Sequence, residues 1–151
     1  MQWQWLCLKF NELSTVQLYQ LLKLRVDVFV VEQNCPYPEL DDKDHQANVY
    51  HLLGYQNEKL VACARLLAPG ISYPQVSIGR IATSKTDRNL GLGKTLLNAA
   101  LLECEQRWPQ QDIQIGAQVY LINFYQGFGF KRHSSDYLED NILHLDMLLT
   151  K

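Results

Sequence analysis

The chain carries no excess of positive charge. Its 14 lysines and arginines stand against 16 aspartates and glutamates, for a formal net charge of -2, so there is no basic face of the kind that neutralises the phosphates of DNA or RNA. A nucleic-acid partner is not expected. Closely spaced cysteines are also absent: Cys7, Cys35, Cys63 and Cys104 form no C-x-x-C pair and no H-x-x-x-H accompanies them. This pattern argues against a zinc site or a redox dithiol and leaves buried free thiols as the reading, with no metal expected. There is no 18-residue apolar run, and the start, Met1-Gln2-Trp3-Gln4-Trp5, has neither the basic segment nor the long apolar stretch of a signal peptide. No membrane span is expected, and a reducing, cytoplasmic setting follows. Repeats, low-complexity tracts and linkers are missing as well. With 151 residues, 47% of them hydrophobic, a single domain over 1–151 has enough apolar side chain to bury a core without staples.

What is present alternates between strand and helix signals. Trp3, Trp5 and Cys7 recur with period two, predicting a first strand over 3–8. Ser14 and Gln17 have the spacing of a capping box, with Leu13 and Leu18 at the staple positions, so a helix starts there and runs through Tyr19, Leu22 and Val26 toward Phe29. Pro36, Pro38 and Asn34 then force a loop, which leads into the acidic segment Asp41-Asp42-Lys43-Asp44. Strands are predicted over 49–55, 60–67, 76–83 and 113–119, with strand-like pieces over 131–137 and 143–149. A helix rich in leucine follows Gly93 and ends at Trp108-Pro109, and a short one covers 120–128. The order fits one α/β domain with a mixed sheet.

A strand, a glycine loop and a helix in succession bring backbone N–H groups and the positive end of a helix dipole to one point, which makes an anion site. Here the loop reads Arg88-Asn89-Leu90-Gly91-Leu92-Gly93, followed by Lys94. Gly93-Lys94-Thr95 resembles the end of a Walker A sequence, but the glycine needed five residues before Gly93 is Arg88. The Rossmann pattern fails too, since Leu96 stands where its third glycine belongs.

The loop instead resembles motif A, R/Q-x-x-G-x-G/A, of the GNAT acetyltransferases, and Asn123-Phe124-Tyr125-Gln126-Gly127-Phe128-Gly129-Phe130 resembles a second region of that superfamily. The run from Leu24 to Tyr37 with Glu39, Asp41 and Asp44, together with His51-Leu52-Leu53-Gly54, Ile78-Gly79-Arg80 and Gly116-Ala117-Gln118, is similar to the ElaA-like branch. The resemblance implies a GNAT fold: a six- to seven-stranded mixed sheet flanked by about four helices, with splayed central strands. It implies acetyl-CoA as co-substrate and direct transfer of the acetyl group to a primary amine. The pantetheine would lie along Ile81, Ala82 and Thr83, the pyrophosphate on residues 88 to 94, and an amide from Asn123 nearby.

Tyr125 would protonate the departing thiolate, and a backbone N–H near Ile81 or Ala82 would polarise the carbonyl. On the acceptor side, Phe29, Glu32 and His51 are the candidate contacts, with Glu32, Asp41, Asp44 and His51 the candidate bases, and the acidic loop is a candidate for steering a cationic amine. The alternative is a non-catalytic acyl-CoA-binding or interaction module on the same fold. The acceptor, a small amine or a peptide, is not specified by these motifs, and although a homodimer is within the superfamily's range, no surface pattern specifies one.

Overall fold

The computed structural model describes residues 2–151, apart from the side chain of Asn89. Strand β1 (Gln4–Lys9) leads through a 3₁₀ turn to α1 (Thr15–Val26). Ser14 caps this helix reciprocally with Gln17: the Gln17 amide donates to Ser14 Oγ at 3.0 Å and the Ser14 amide to Gln17 Oε1 at 2.9 Å, which satisfies donors that an uncapped first turn leaves open. Past Val26 the helix widens into a π turn, Asp27–Glu32. Its signature bonds run from the Gln33 amide to the Val28 carbonyl and from Cys35 to Val30.

After a long loop come β2 (Val49–Gln56), β3 (Lys59–Leu67) and β4 (Val76–Thr83), then α2 (Leu92–Arg107), β5 (Ile113–Gln118), the short α3 (Ile122–Gln126), and strands β6 (Lys131–Arg132), β7 (Tyr137–Glu139) and β8 (Ile142–Leu149). The strands form one sheet in the order β1-β2-β3-β4-β5-β8-β6, with β7 also paired to β8. All pairings are antiparallel except β4 with β5. The sheet has eight strands, because the C-terminal region expected as two pieces splits into three. Among the described residues three α-helices accompany it, the remaining helical turns being 3₁₀ or π.

Alternation along the strands divides the core between two faces. Leu21, Leu24 and Val28 of α1 and the π turn pack on Leu53, Cys63 and Ala82. On the opposite face, Leu96, Leu97 and Ala100 of α2 pack on Leu52, Leu66, Ile78 and Ile115. At about 25 cal/mol per Å² of apolar surface removed from water, each fully buried leucine here contributes roughly 2 kcal/mol.

Two irregularities open the sheet at its centre. β4 and β5 pair only as Val76 with Ile113 and Ser77 with Gln114, and beyond that point their facing edges are not paired with each other. On its other edge β4 carries a bulge: Cys63 pairs with Ala82 and Arg65 with Gly79, so Arg80 and Ile81 together face Ala64. Arg80 takes φ +47°, a left-handed conformation that costs a non-glycine residue energy and persists only where its surroundings enforce it.

Candidate functional site

A cleft of about 800 Å³ fills the gap between β4 and β5, within the range of small-molecule sites. One wall is β4 from Ile78 to Thr83, and the other is β5 with Ile115, Gly116 and Gln118. The N-terminus of α2 and the α3 residues Phe124 and Tyr125 close one face. The π turn, through Phe29 and Glu32, and the loop at Tyr37 and Asp41 close the other.

At the head of α2, Gly91 adopts φ +75° and stands as the N-cap without any side-chain cap. Only glycine adopts that conformation freely. Nothing lies within 4 Å of where its Cβ would be, so the backbone here is open to close approach. The first-turn N–H groups of a 16-residue helix point toward this opening with the positive end of the dipole. Gly93 lies against the Phe124 ring, 3.8 Å from where its Cβ would be.

The expected cofactor residues separate by position. Ile81, Ala82, Thr83, Arg88, Gly93 and Tyr125 line the cleft. Leu92 is fully buried in the core beneath the loop, while Leu90 is 53% exposed and, like Lys94, lies off the cleft wall. The Asn89 side chain lies outside the described residues. Asn123 sits on the exposed side of α3, outside the residues that line the cleft, and the N-cap of that helix is Leu121.

Arg88 and Glu32 hold each other. The guanidinium donates to Glu32 Oε2 at 2.5 Å and Oε1 at 2.7 Å, and also to the Thr83 carbonyl at 2.9 Å and Oγ1 at 3.2 Å. The hydrogen bond from Arg88, which outweighs the opposing effect of burial, lowers the pKa of Glu32. Its carboxylate is therefore a braced acceptor rather than a free base.

The acidic loop is likewise not free. Arg25, 1% exposed, donates to Glu39 at 2.5 Å and to Asp44 at 2.7 Å. Arg65 donates to both oxygens of Asp41, at 2.8 and 2.7 Å, and to Asp44 at 2.9 Å. Arg80 donates to the carboxylate and the carbonyl of Glu39, both at 2.9 Å, and Tyr37 donates to the other Glu39 oxygen. Burial by itself would raise the pKa of Asp41 and Asp44, but the guanidiniums outweigh it and hold both low. Glu39, Asp41 and Asp44, paired in this way, are largely neutralised by their guanidiniums, which leaves Asp42 as the exposed carboxylate of the segment and removes most of the charge on which the steering expectation rested. The same clamp on Arg80 sustains its left-handed backbone and so keeps the bulge in β4.

His51 does not reach the cleft. It is 1% exposed on β2, its Nε2 lies 2.9 Å from the Asp44 carbonyl, and burial lowers its pKa. It props the acidic loop from below.

Tyr125 is 6% exposed and faces the cleft, and its hydroxyl has no hydrogen-bond partner among the described residues. Burial pushes its pKa well up. Three groups absent from the sequence reading lie at the far side, Tyr73 and His144 on the cleft wall and Tyr137 behind them. Tyr137 donates to Asp146 Oδ1 at 2.7 Å and Tyr73 to the same oxygen at 3.4 Å, and both hydroxyls lie close to the position a Gly116 Cβ would take, at 3.3 and 3.1 Å respectively. His144 stands beside them on β8, in register with Gln118. Only the sheet register gathers these residues, and no local motif marks them.

A sheet parted at two parallel strands, with a glycine-turned helix N-terminus at the mouth of the gap, has the architecture of acyltransferases that take acyl-CoA donors. The chain belongs to the GNAT acetyltransferase family: the acetyltransferase (GNAT) domain model matches residues 23–151. It is 44% identical over 144 residues to Protein ElaA of Escherichia coli K12, covering 95% of this chain and 94% of that one. A crystal structure of Escherichia coli ElaA superposes with TM-score 0.91 at 42% identity, covering 97% of this chain and 99% of the other. An acyl-CoA N-acyltransferase from Pseudomonas aeruginosa superposes with TM-score 0.93 at 39% identity and the same coverage. The fold and family imply acyl-CoA-dependent acyl transfer.

Proposed function

We propose that this protein transfers an acetyl group from acetyl-CoA directly to a primary amine, without a covalent acyl-enzyme. The observation that carries the reading is the parting of β4 and β5 after two residue pairs, which opens unpaired strand edges onto both the Gly91 turn and the Tyr125 hydroxyl. The residues present fit the donor. A pantetheine amide chain has the hydrogen-bonding pattern of the strand missing from the gap, and the bare backbone at Gly91 with the uncapped start of α2 suits a pyrophosphate. Bound there, acetyl-CoA supplies a thioester whose carbonyl carbon accepts the amine.

Within that frame the chain's own groups divide the work. The edge of β4 left unpaired beyond Ser77 offers backbone N–H groups to the cleft, suited to the developing oxyanion. Tyr125 holds its proton through the neutral range because burial raises its pKa, and gives it to the departing sulfur. Phe29 supplies an apolar wall on the acceptor side. Glu32 is a positioning residue that holds Arg88 at the mouth. Cys63 and Cys104 are not nucleophiles, since burial pushes both up to about 12, far from the low pKa of a reactive cysteine, and Cys35 on the cleft wall has its thiol engaged with the Asp140 carbonyl at 3.3 Å.

The test is isothermal titration of the protein with acetyl-CoA and with ATP, beside Gly91→Glu, followed by thiol release with a panel of amines. Saturable acetyl-CoA binding that the variant loses, with thiol release dependent on amine, supports the reading. Binding of ATP in place of acetyl-CoA overturns it.

A further inference from the structure

We infer that His144 is the general base that strips the proton from the acceptor amine, an assignment that rests on the acetyltransferase reading above. An alkyl amine arrives as an ammonium with no lone pair, so a base must act before it can attack. The carboxylates on the cleft wall nearest β4 are bound by guanidiniums, and Glu32 and Asp41 have lowered pKa values. His144 is differently placed.

Its Nδ1 lies 2.8 Å from the Ile142 carbonyl. A carbonyl only accepts, so the neutral ring carries its hydrogen on Nδ1 and leaves Nε2 with a free lone pair. The ring is stacked on Tyr137 with planes 17° apart and centroids 6.0 Å apart, which fixes its orientation. Nε2 faces the Glu139 carboxylate at 3.6 Å, a partner for the imidazolium once formed. His144 and Glu139 both line the cleft that Tyr125 lines from α3. The groups around the ring are accounted for: Glu139 and Tyr137 from β7, neutral Gln118 across from it on β5, and on its own strand Asp146, which is engaged by Tyr137, Tyr73 and Gln114.

The proton balance closes with two groups. His144 Nε2 takes one proton from the ammonium and frees the nitrogen lone pair. As the C–N bond forms and the C–S bond breaks, the nitrogen gives up a second proton to solvent, Tyr125 passes its own proton to the sulfur and regains one from solvent, and the imidazolium releases its proton to solvent.

Side-chain ¹H–¹⁵N NMR of the ligand-free protein, with His144→Asn to assign the signal, reads the tautomer directly. At a pH where the ring is neutral, a bare Nε2 with hydrogen on Nδ1 is expected, and a neutral ring with its hydrogen on Nε2 overturns the assignment. His144→Asn keeps a donor toward the Ile142 carbonyl and deletes Nε2, and His144→Gln is the second variant should the first fold poorly. With an alkyl amine that supports thiol release, kcat/KM at neutral pH falls by about 10²–10⁴-fold, and acetyl-CoA affinity is unchanged. Methoxyamine, unprotonated at neutral pH, is acetylated by the variant nearly as well as by wild type. Equal losses with both nucleophiles overturn the proposal. Failure of the wild type to bind acetyl-CoA would instead overturn the acetyltransferase reading, while the tautomer result speaks to His144 alone.

Discussion

The Arg88 guanidinium grips both carboxylate oxygens of Glu32, at 2.5 and 2.7 Å, across the mouth of the cleft where the donor's phosphates are expected. Glu32 therefore competes with those phosphates for the same cation. Replacing it by glutamine removes a negative charge from the entrance, while Thr83 still holds Arg88 through its carbonyl and hydroxyl. The expected outcome of Glu32→Gln is acetyl-CoA binding several-fold tighter at low salt, with the gain shrinking as salt screens it, measured by titration calorimetry. Turnover slowed by about a hundredfold or more at unchanged affinity would return Glu32 to the role of base.

The two loop glycines answer to different constraints. Gly91 sits at φ +75°, so Gly91→Ala costs about 1–2 kcal/mol of stability from backbone strain alone, read as a lowered urea midpoint. A methyl at Gly93 meets the Phe124 ring at 3.8 Å, an ordinary contact, and the stability of Gly93→Ala stays within about 0.5 kcal/mol of wild type.

Tyr125→Phe removes a hydroxyl that has no protein partner among the described residues. Stability is expected to be unchanged or slightly raised, acetyl-CoA affinity unchanged, and turnover slower by about a hundredfold or more. Retained turnover in a thiol-release assay would remove Tyr125 from the chemistry.

Breaking the buried arginine–carboxylate network strands its carboxylates. Arg25→Met leaves Glu39 and Asp44 short of a partner and is expected to cost about 3–5 kcal/mol, measured by chemical denaturation. The pH dependence follows from the lowered pKa values of Asp41 and Asp44. Groups held lower in the folded chain than the ordinary value of about 3.9 contribute stability that is fully present above about pH 4–5 and is lost as the pH falls below that. Stability measured downward from pH 6 is expected to hold until that range and then drop, with a smaller drop in the Asp41→Asn variant.

The local signals in the sequence were the readable ones. Ser14 and Gln17 cap α1 because their partners lie three residues apart, and the glycine loop was legible because strand, turn and helix follow one another directly. The helix expected to reach Phe29 does so, but as a π turn beyond Val26, a change that no periodicity of side chains encodes. The acidic loop was readable as a loop but not as a clamp. Its arginines lie 14 to 41 residues away, and only the sheet register brings them together. For the same reason His51, apolar-flanked on β2, looked equivalent to a site residue until its strand was placed outside the cleft. His144 gave no signal, since what distinguishes it is the Ile142 carbonyl fixing its tautomer.

The seam between β4 and β5 also has a mechanical side. Among the described residues, two residue pairs are the only strand pairing between a four-strand bank, β1 to β4, and the bank of β5 to β8. Under the proposed function, a donor lying in the gap would bond to the exposed strand edges and so complete the sheet. Those β4 amides beyond Ser77 that point away from β3, facing an unzipped edge in the free protein, would become interior strand amides with a donor in place. Loading the donor should therefore tighten the fold along its length, and the catalyst is at its stiffest when it is ready to react.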